Sequence, residues 1–255
     1  MKKRKKTSHK GQNGIVLVIG GSELYIGAPI LTTLAAQATG LDLTYIAAPE
    51  EVALIANVYS PDIISIKLPG KVLKPKHMKM FERFVEKADC IAIGPGLGLD
   101  KQTVSAVKEI VKTKKPKVID ADALHAIKGL DVKNCVLTPH HGEFMDLFGE
   151  PGSYKSIKKY ARKDKIILLK GHVDLVSDGS KVYSIHGGTE AMTVGGTGDV
   201  LTGIVAGLIA QGDSLLDAAR KASKINKKAG EIVFKKKKYG LFASDLISEI
   251  PKLVK

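Results

Sequence analysis

The sequence predicts an α/β protein with a mostly parallel central sheet and helices on both faces, formed as one domain over residues 1–255. Three observations carry this. Short β-branched runs alternate with longer segments of helical period, the order that strand, crossover and strand units produce. The runs are largely apolar, as in strands covered on both faces. No internal repeat or long linker divides the chain, and its length suits one substantial core.

Residues 15–19 read as the first strand, 20–27 as a Gly-rich loop, and 28–38 as a helix with Pro29 in its first turn, where a missing N–H costs nothing. Further strands are expected at 43–47, 63–66, 90–93, 117–119, 135–137 and 166–169. Helices are expected between them at 50–57, 76–87, 101–112 and 154–163. After residue 170, the runs 173–176 and 181–185 flank Asp178-Gly179-Ser180, a hairpin signal that predicts two antiparallel strands. A Gly-rich loop over 187–198 then leads to an apolar helix at 199–210, another at 214–234 and a last one near 244–250.

Composition narrows the class. A hydrophobic fraction of 44% with 26% charged residues suits a packed globular chain. No apolar stretch of about 18 residues occurs, and the lysine-rich start runs into polar residues 7–14, so no membrane span or signal segment is expected and the cytoplasm is the expected location. Cys90 and Cys135 sit at apolar runs without metal-ligand spacing, and buried free thiols are expected. The net charge of +14 raises nucleic acid as a partner, with KKRKK at 2–6 and KKKK at 235–238, the former within a basic segment over 1–10. Between these ends there is no zinc finger or aromatic RNA-binding pattern, so solvated lysines and attraction for anionic substrates are the preferred account.

In a parallel sheet, ligands gather at the carboxyl ends of strands. Four loops there are unusual: GGSELYIG (20–27), GPGLG (94–98), TPHHGEF (138–144) and KGHVD (170–174). A fifth element, GGTGD (195–199), opens a helix. Its glycines let backbone N–H groups approach an anion, and the helix dipole favours negative charge. A carboxylate at the same place, Asp199, suits phosphoryl transfer if it takes a proton from an attacking hydroxyl. The bland alternative is that Asp199 caps the helix and the glycines shape a turn. Asp120 and Asp122 follow a strand; capping is preferred for Asp122, while Asp120 is open between capping and holding magnesium through water. Direct protein ligands to a metal are not expected.

The segment GGTGDVLTGIVAGLIAQG (195–212) resembles the signature of the ADP/ATP-dependent NAD(P)H-hydrate dehydratases, a branch of the ribokinase-like superfamily. HKG (9–11), VLVIGGSELYIGAP (16–29), GPGLG, DADAL (120–124), TPHHGEF, KGHVD and ASDLISEIP (243–251) follow in that family's order. The resemblance implies a three-layer ribokinase-like sandwich. It also implies that ATP or ADP, with Mg2+, phosphorylates the C6 hydroxyl of hydrated NADH or NADPH, and that loss of phosphate restores the cofactor. Asp199 would be the general base, and the N–H groups of Gly196, Thr197 and Gly198 would hold the transferring phosphoryl group.

By the same resemblance, Ala28, Gly98 and His140 match positions that contact the hydrated dinucleotide, with Tyr25 and Glu143 as supports. Lys170, Gly171, His172, Val173 and Asp174, with Gly195 and Gly196, match the nucleotide side. The family's tetramers imply a homo-oligomer, and its fused epimerase domain implies a separate epimerase partner here. Some positions depart from the pattern: GTEAMTVGG (188–196) stands for the usual NPGMATGG, Asn226 stands for a frequent histidine, and TPHP is TPHH. A vitamin-precursor kinase of the same superfamily is the nearest alternative function, and a basic nucleic-acid-binding protein is the second.

Overall fold

A computed structural model describes residues 6–254, so most of the KKRKK cluster lies outside the described residues. The chain runs β1 (Ile15–Ile19), α1 (Gly27–Ala38), β2 (Leu43–Pro49), α2 (Glu50–Tyr59), β3 (Ile64–Leu68), α3 (Met78–Lys87), β4 (Cys90–Ile93), α4 (Lys101–Ile110) and β5 (Lys117–Ile119). It continues with α5 (Asp122–Ala126), β6 (Cys135–Leu137), α6 (His141–Phe148), α7 (Tyr154–Tyr160), β7 (Lys165–Leu169), β8 (Asp174–Ser177) and β9 (Val182–Ile185). The last elements are α8 (Thr197–Ala210), α9 (Leu215–Lys237), α10 (Ala243–Ile247) and α11 (Ile250–Leu253). The expected strands all form, and the hairpin is β8–β9. Helices α5 and α6 were not expected, and the single closing helix expected near 244–250 is two short ones.

The nine strands form one sheet in the order β3-β2-β1-β4-β5-β6-β7-β8-β9. Pairings from β3 through β7 are parallel, and β8 and β9 add antiparallel. Alternate residues of each strand feed two cores. Val16, Val18, Val118, Val136 and Leu168 point to the layer of α8 and α9, whereas Leu17, Ile19, Ile91, Ile93 and Ile119 point to the opposite layer. The arrangement is a three-layer α/β sandwich, the sheet lying between two layers of helices. Because β1 has β2 on one side and β4 on the other, the order in which strands are added reverses there while the strands stay parallel, and a crevice opens beyond their carboxyl ends.

Helix α8 is apolar on every side, as a helix enclosed between sheet and helices must be. Gly203 lets α1 lie against it: a Cβ there would collide with the Thr32 carbonyl and stand 2.8 Å from Ala35 Cβ. The HKG segment is tied down as well, since Gly11 N and Asn13 N each donate to Asp42 Oδ2 at 3.0 Å. Cys90 and Cys135 are buried free thiols, and burial pushes Cys135 up to about 12. In the KKKK cluster, Lys236 pairs with Glu249 at 2.9 Å and Lys237 with Asp245 at 2.6 Å, so part of that charge is neutralised within the fold. No helix among the described residues is long and apolar enough to cross a membrane.

Candidate active site

Gly196 caps α8 with φ +94, a left-handed conformation that favours glycine. The first intrahelical bond runs from Val200 N to Gly196 O at 3.0 Å, which leaves the N–H groups of Gly196, Thr197, Gly198 and Asp199 without helical acceptors. Thr197 Oγ1 donates to Met192 O at 2.9 Å and so fixes the preceding loop to the helix start. The helix therefore offers an anion a set of N–H donors at its positive end.

The side chain of Asp199 does not cap this helix; no side-chain hydrogen bond closes its start. Its carboxyl is pushed up to about 7, by burial above all and next by the negative charge of Asp120. Lys170 pulls in the other direction, and Asp122 and Glu143 add to the rise. A half-buried carboxyl that titrates near neutrality can hold or release a proton at physiological pH.

Lys170 directly follows β7 and is pinned from two sides. Its Nζ donates to Asp120 Oδ1 at 2.8 Å and lies 3.7 Å from Glu143 Oε2. Burial alone would lower the ammonium, but the charges of Asp120 and Glu143 outweigh it and hold Lys170 above the usual lysine value. It stays cationic. Asp120 is itself fixed by Thr202 Oγ1, which donates to its second oxygen at 2.6 Å from one turn below Asp199 on α8. A Cβ on Gly198 would stand 3.4 Å from Lys170 Nζ, so this ammonium borders the helix start.

His140 and Glu143 form a reciprocal cap on α6. His140 Nδ1 accepts from Glu143 N at 3.1 Å, and Glu143 Oε2 accepts from His140 N at 2.8 Å. Lys170 N donates to Pro139 O at 2.8 Å, which sets the TPHHGEF and KGHVD loops side by side.

A cavity of about 470 Å³ opens between these loops and α9, bordered by Lys170, Gly171, His172, Asp174, Thr197, Gly198 and also His140. Val173, Gly195, Gly196 and Asp199 do not border it. The Tyr25, Ala28 and Gly98 set lies apart, at the crevice between β1 and β4. There Gly21 N donates to Pro95 O at 2.9 Å, and a Cβ on Gly96 would stand 2.7 Å from Tyr25 Cβ and 3.3 Å from Ala28 Cβ. Asp122 corrects the capping expectation: its Oδ2 accepts from Gly98 N at 2.8 Å and shapes the GPGLG loop instead. Thr32 joins the two regions, donating from Oγ1 to the carbonyls of Ala28 and Asp199, each at 3.1 Å.

Sequence reasoning singled out the 187–198 loop and Asn226 but did not place Gly187, Gly188, Met192, Asn226 and Lys227 together as the far wall of the cavity. Two signals fell on it, the departure at 188–196 and Asn226 where a histidine is usual, and Lys227 had none. As for magnesium, no group of three or more His, Cys, Asp or Glu side chains among the described residues could hold a metal ion. Both oxygens of Asp120 already accept from Lys170 and Thr202. The side chains here do not form a magnesium cage.

The sequence model of the NAD(P)H-hydrate dehydratase family matches residues 16–252. The chain belongs to that family. It is 40% identical to the ADP-dependent (S)-NAD(P)H-hydrate dehydratase of Nitrosopumilus maritimus, over 99% of this chain and 92% of that one. It is 43% identical to the bifunctional NAD(P)H-hydrate repair enzyme Nnr of Pyrobaculum aerophilum, over 99% of this chain and 52% of the relative. The chain thus spans about half the length of the bifunctional relatives. Among solved structures, the ADP/ATP-dependent NAD(P)H-hydrate dehydratase of Bacillus subtilis co-crystallised with ATP and Mg2+ superposes with a TM-score of 0.84 at 25% identity, covering 98% of this chain and 92% of that one. A ribokinase of Arabidopsis thaliana, with a TM-score of 0.59 at 15% identity, shares the fold alone.

Proposed function

We propose that this dehydratase-family chain restores NADH or NADPH from the (6S) hydrate, using ADP or ATP as the phosphoryl donor. The observation that carries the reading is the pairing on one helix turn of a carboxylate poised near 7, Asp199, with open N–H groups beside a cationic Lys170. Asp199 takes the proton of the C6 hydroxyl as its oxygen bonds to the terminal phosphorus of the nucleotide. The bond from that phosphorus to its bridging oxygen breaks, and the N–H groups of Gly196, Thr197 and Gly198 take up the charge on the transferring group. Phosphate then leaves C6 with its bonding electrons, a proton leaves C5, and the ring double bond returns.

In this reading the dinucleotide hydrate lies along Tyr25, Ala28 and Gly98, and reaches His140, whose ring Glu143 steadies. The nucleotide fills the cavity beside Lys170, Gly171, His172 and Asp174. The Nitrosopumilus relative's name favours ADP, while the B. subtilis co-crystal accommodates ATP with Mg2+; magnesium would travel on the phosphates with its waters. An epimerase activity supplies the S form, the reaction takes place in the cytoplasm, and the exposed apolar Leu54, Val58 and Tyr59 of α2 support assembly as a homo-oligomer.

The test is incubation of purified protein with hydrated NADH and either nucleotide plus magnesium, following the reduced-nicotinamide absorbance. The wild type restores it, and Asp199→Asn, folded, does not. Failure of the wild type with both nucleotides refutes the function, and retention of most activity by Asp199→Asn removes Asp199 from the base role.

A further inference from the structure

Resting on the reading of the cavity as the nucleotide site, we propose that Lys227 of α9 is a positioning residue that fixes the 170–174 loop for polyphosphate binding. Its Nζ donates to Gly171 O at 3.1 Å and to His172 O at 3.0 Å, and lies 3.3 Å from Asp174 Oδ1. The side chain is only 8% exposed, though it borders the cavity. Two of the ammonium's three donors go to these carbonyls and its charge faces Asp174, so Lys227 acts through the loop. Asp174 completes the lock: its Oδ1 accepts from Gly171 N at 2.9 Å and its Oδ2 from Ser223 Oγ at 2.7 Å.

The consequence is electrostatic. A carbonyl oxygen turned toward a polyphosphate repels it. Lys227 draws the carbonyls of Gly171 and His172 toward α9, so this stretch of the wall does not present them to the anion. The neighbouring residue does the same job for the other half of the site, because Asn226 Nδ2 donates to Thr197 O at 3.3 Å in the first turn of α8. Two consecutive residues of α9 therefore set the spacing between the KGHVD loop and the α8 N–H groups. Nothing in the spacing of KGHVD and residue 227 along the chain reveals this.

The experiment is calorimetric titration of ATP and of ADP, without hydrate, into wild type, Lys227→Met and the double variant Lys227→Met/Asp174→Asn. The double variant removes the buried carboxylate that the single change leaves unpaired. Thermal melting checks that each is folded. Both variants are expected to bind at least 10-fold more weakly than wild type. In turnover, Lys227→Met should raise the nucleotide KM by a similar factor while kcat and the hydrate KM stay within twofold, a split that general loosening of the fold does not give. A folded variant that binds within twofold of wild type overturns the assignment, and so does restored affinity in the double variant, which would make Lys227 only a counter-ion to Asp174. Failure of both variants to fold overturns it too, by making Lys227 a stability element. Wild type that binds neither nucleotide refutes the nucleotide site itself, a result distinct from all of these.

Discussion

Replacing Asp199 by Asn should make the protein more stable while removing its activity, and the gain should depend on pH. The folded carboxyl titrates at about 7 against an ordinary value of 3.8, so the folded state resists the ionisation that the unfolded chain accepts. A carboxyl raised in this way leaves stability intact below about pH 4 and withdraws it as pH climbs toward 7, after which the loss is constant. Each pH unit between the two values is worth about 1.4 kcal/mol, which gives about 4 kcal/mol in full and about 2 kcal/mol once partial solvation of the site is allowed for. For a chain of this size, 2 kcal/mol moves Tm by about 4–8 °C. Asn keeps the shape and has no charge to desolvate. Calorimetric melting of both proteins from pH 4 to pH 8.5 should show a Tm gain that grows up to neutrality and then levels. No gain at pH 8, or an equal gain at pH 4 and pH 8, would refute the claim that burial and Asp120 hold this carboxylate at a cost.

Three further outcomes follow from the same geometry. Activity needs the ionised base, so kcat/KM should fall about tenfold per pH unit below 7, and a profile flat down to pH 5 would contradict the role of Asp199. Gly196→Ala meets both a left-handed φ and contacts of 2.7 Å to Leu31 and 2.9 Å to Ala243; it should lose about 2 kcal/mol in denaturant unfolding and bind ATP at least 10-fold more weakly. Gly203→Ala drives a methyl into the Thr32 backbone and should cost about 3 kcal/mol of stability by the same measurement.

The parallel sheet was legible because its strands are continuous β-branched runs, a pattern that burial on both faces imposes. Helices α5 and α6 were not. The first has five residues, too few for a period, and the second is capped by His140, a residue type that does not mark helix starts as Ser or Asp does. Asp122 shows the limit of local reasoning: capping was chemically reasonable, but the GPGLG loop, 24 residues away, offers the Gly98 N–H to it. Asp199, Lys170 and the Gly196 turn were found because they sit at strand and helix ends. The ties that fix them, Asp120 with Thr202 and Gly171 with Lys227, span 82 and 56 residues, and local periodicity carries no trace of them.

The central claim is that a phosphoryl group passes to the hydrate and is then expelled at the same site. Its most direct test is stoichiometry: phosphorus NMR of a reaction with hydrated NADH and limiting ATP or ADP, alongside the absorbance of reduced nicotinamide. The account predicts one orthophosphate released for each reduced nicotinamide restored, with neither produced by Asp199→Asn. A stable phosphoester accumulating without return of the absorbance would contradict it and identify a small-molecule kinase on this fold.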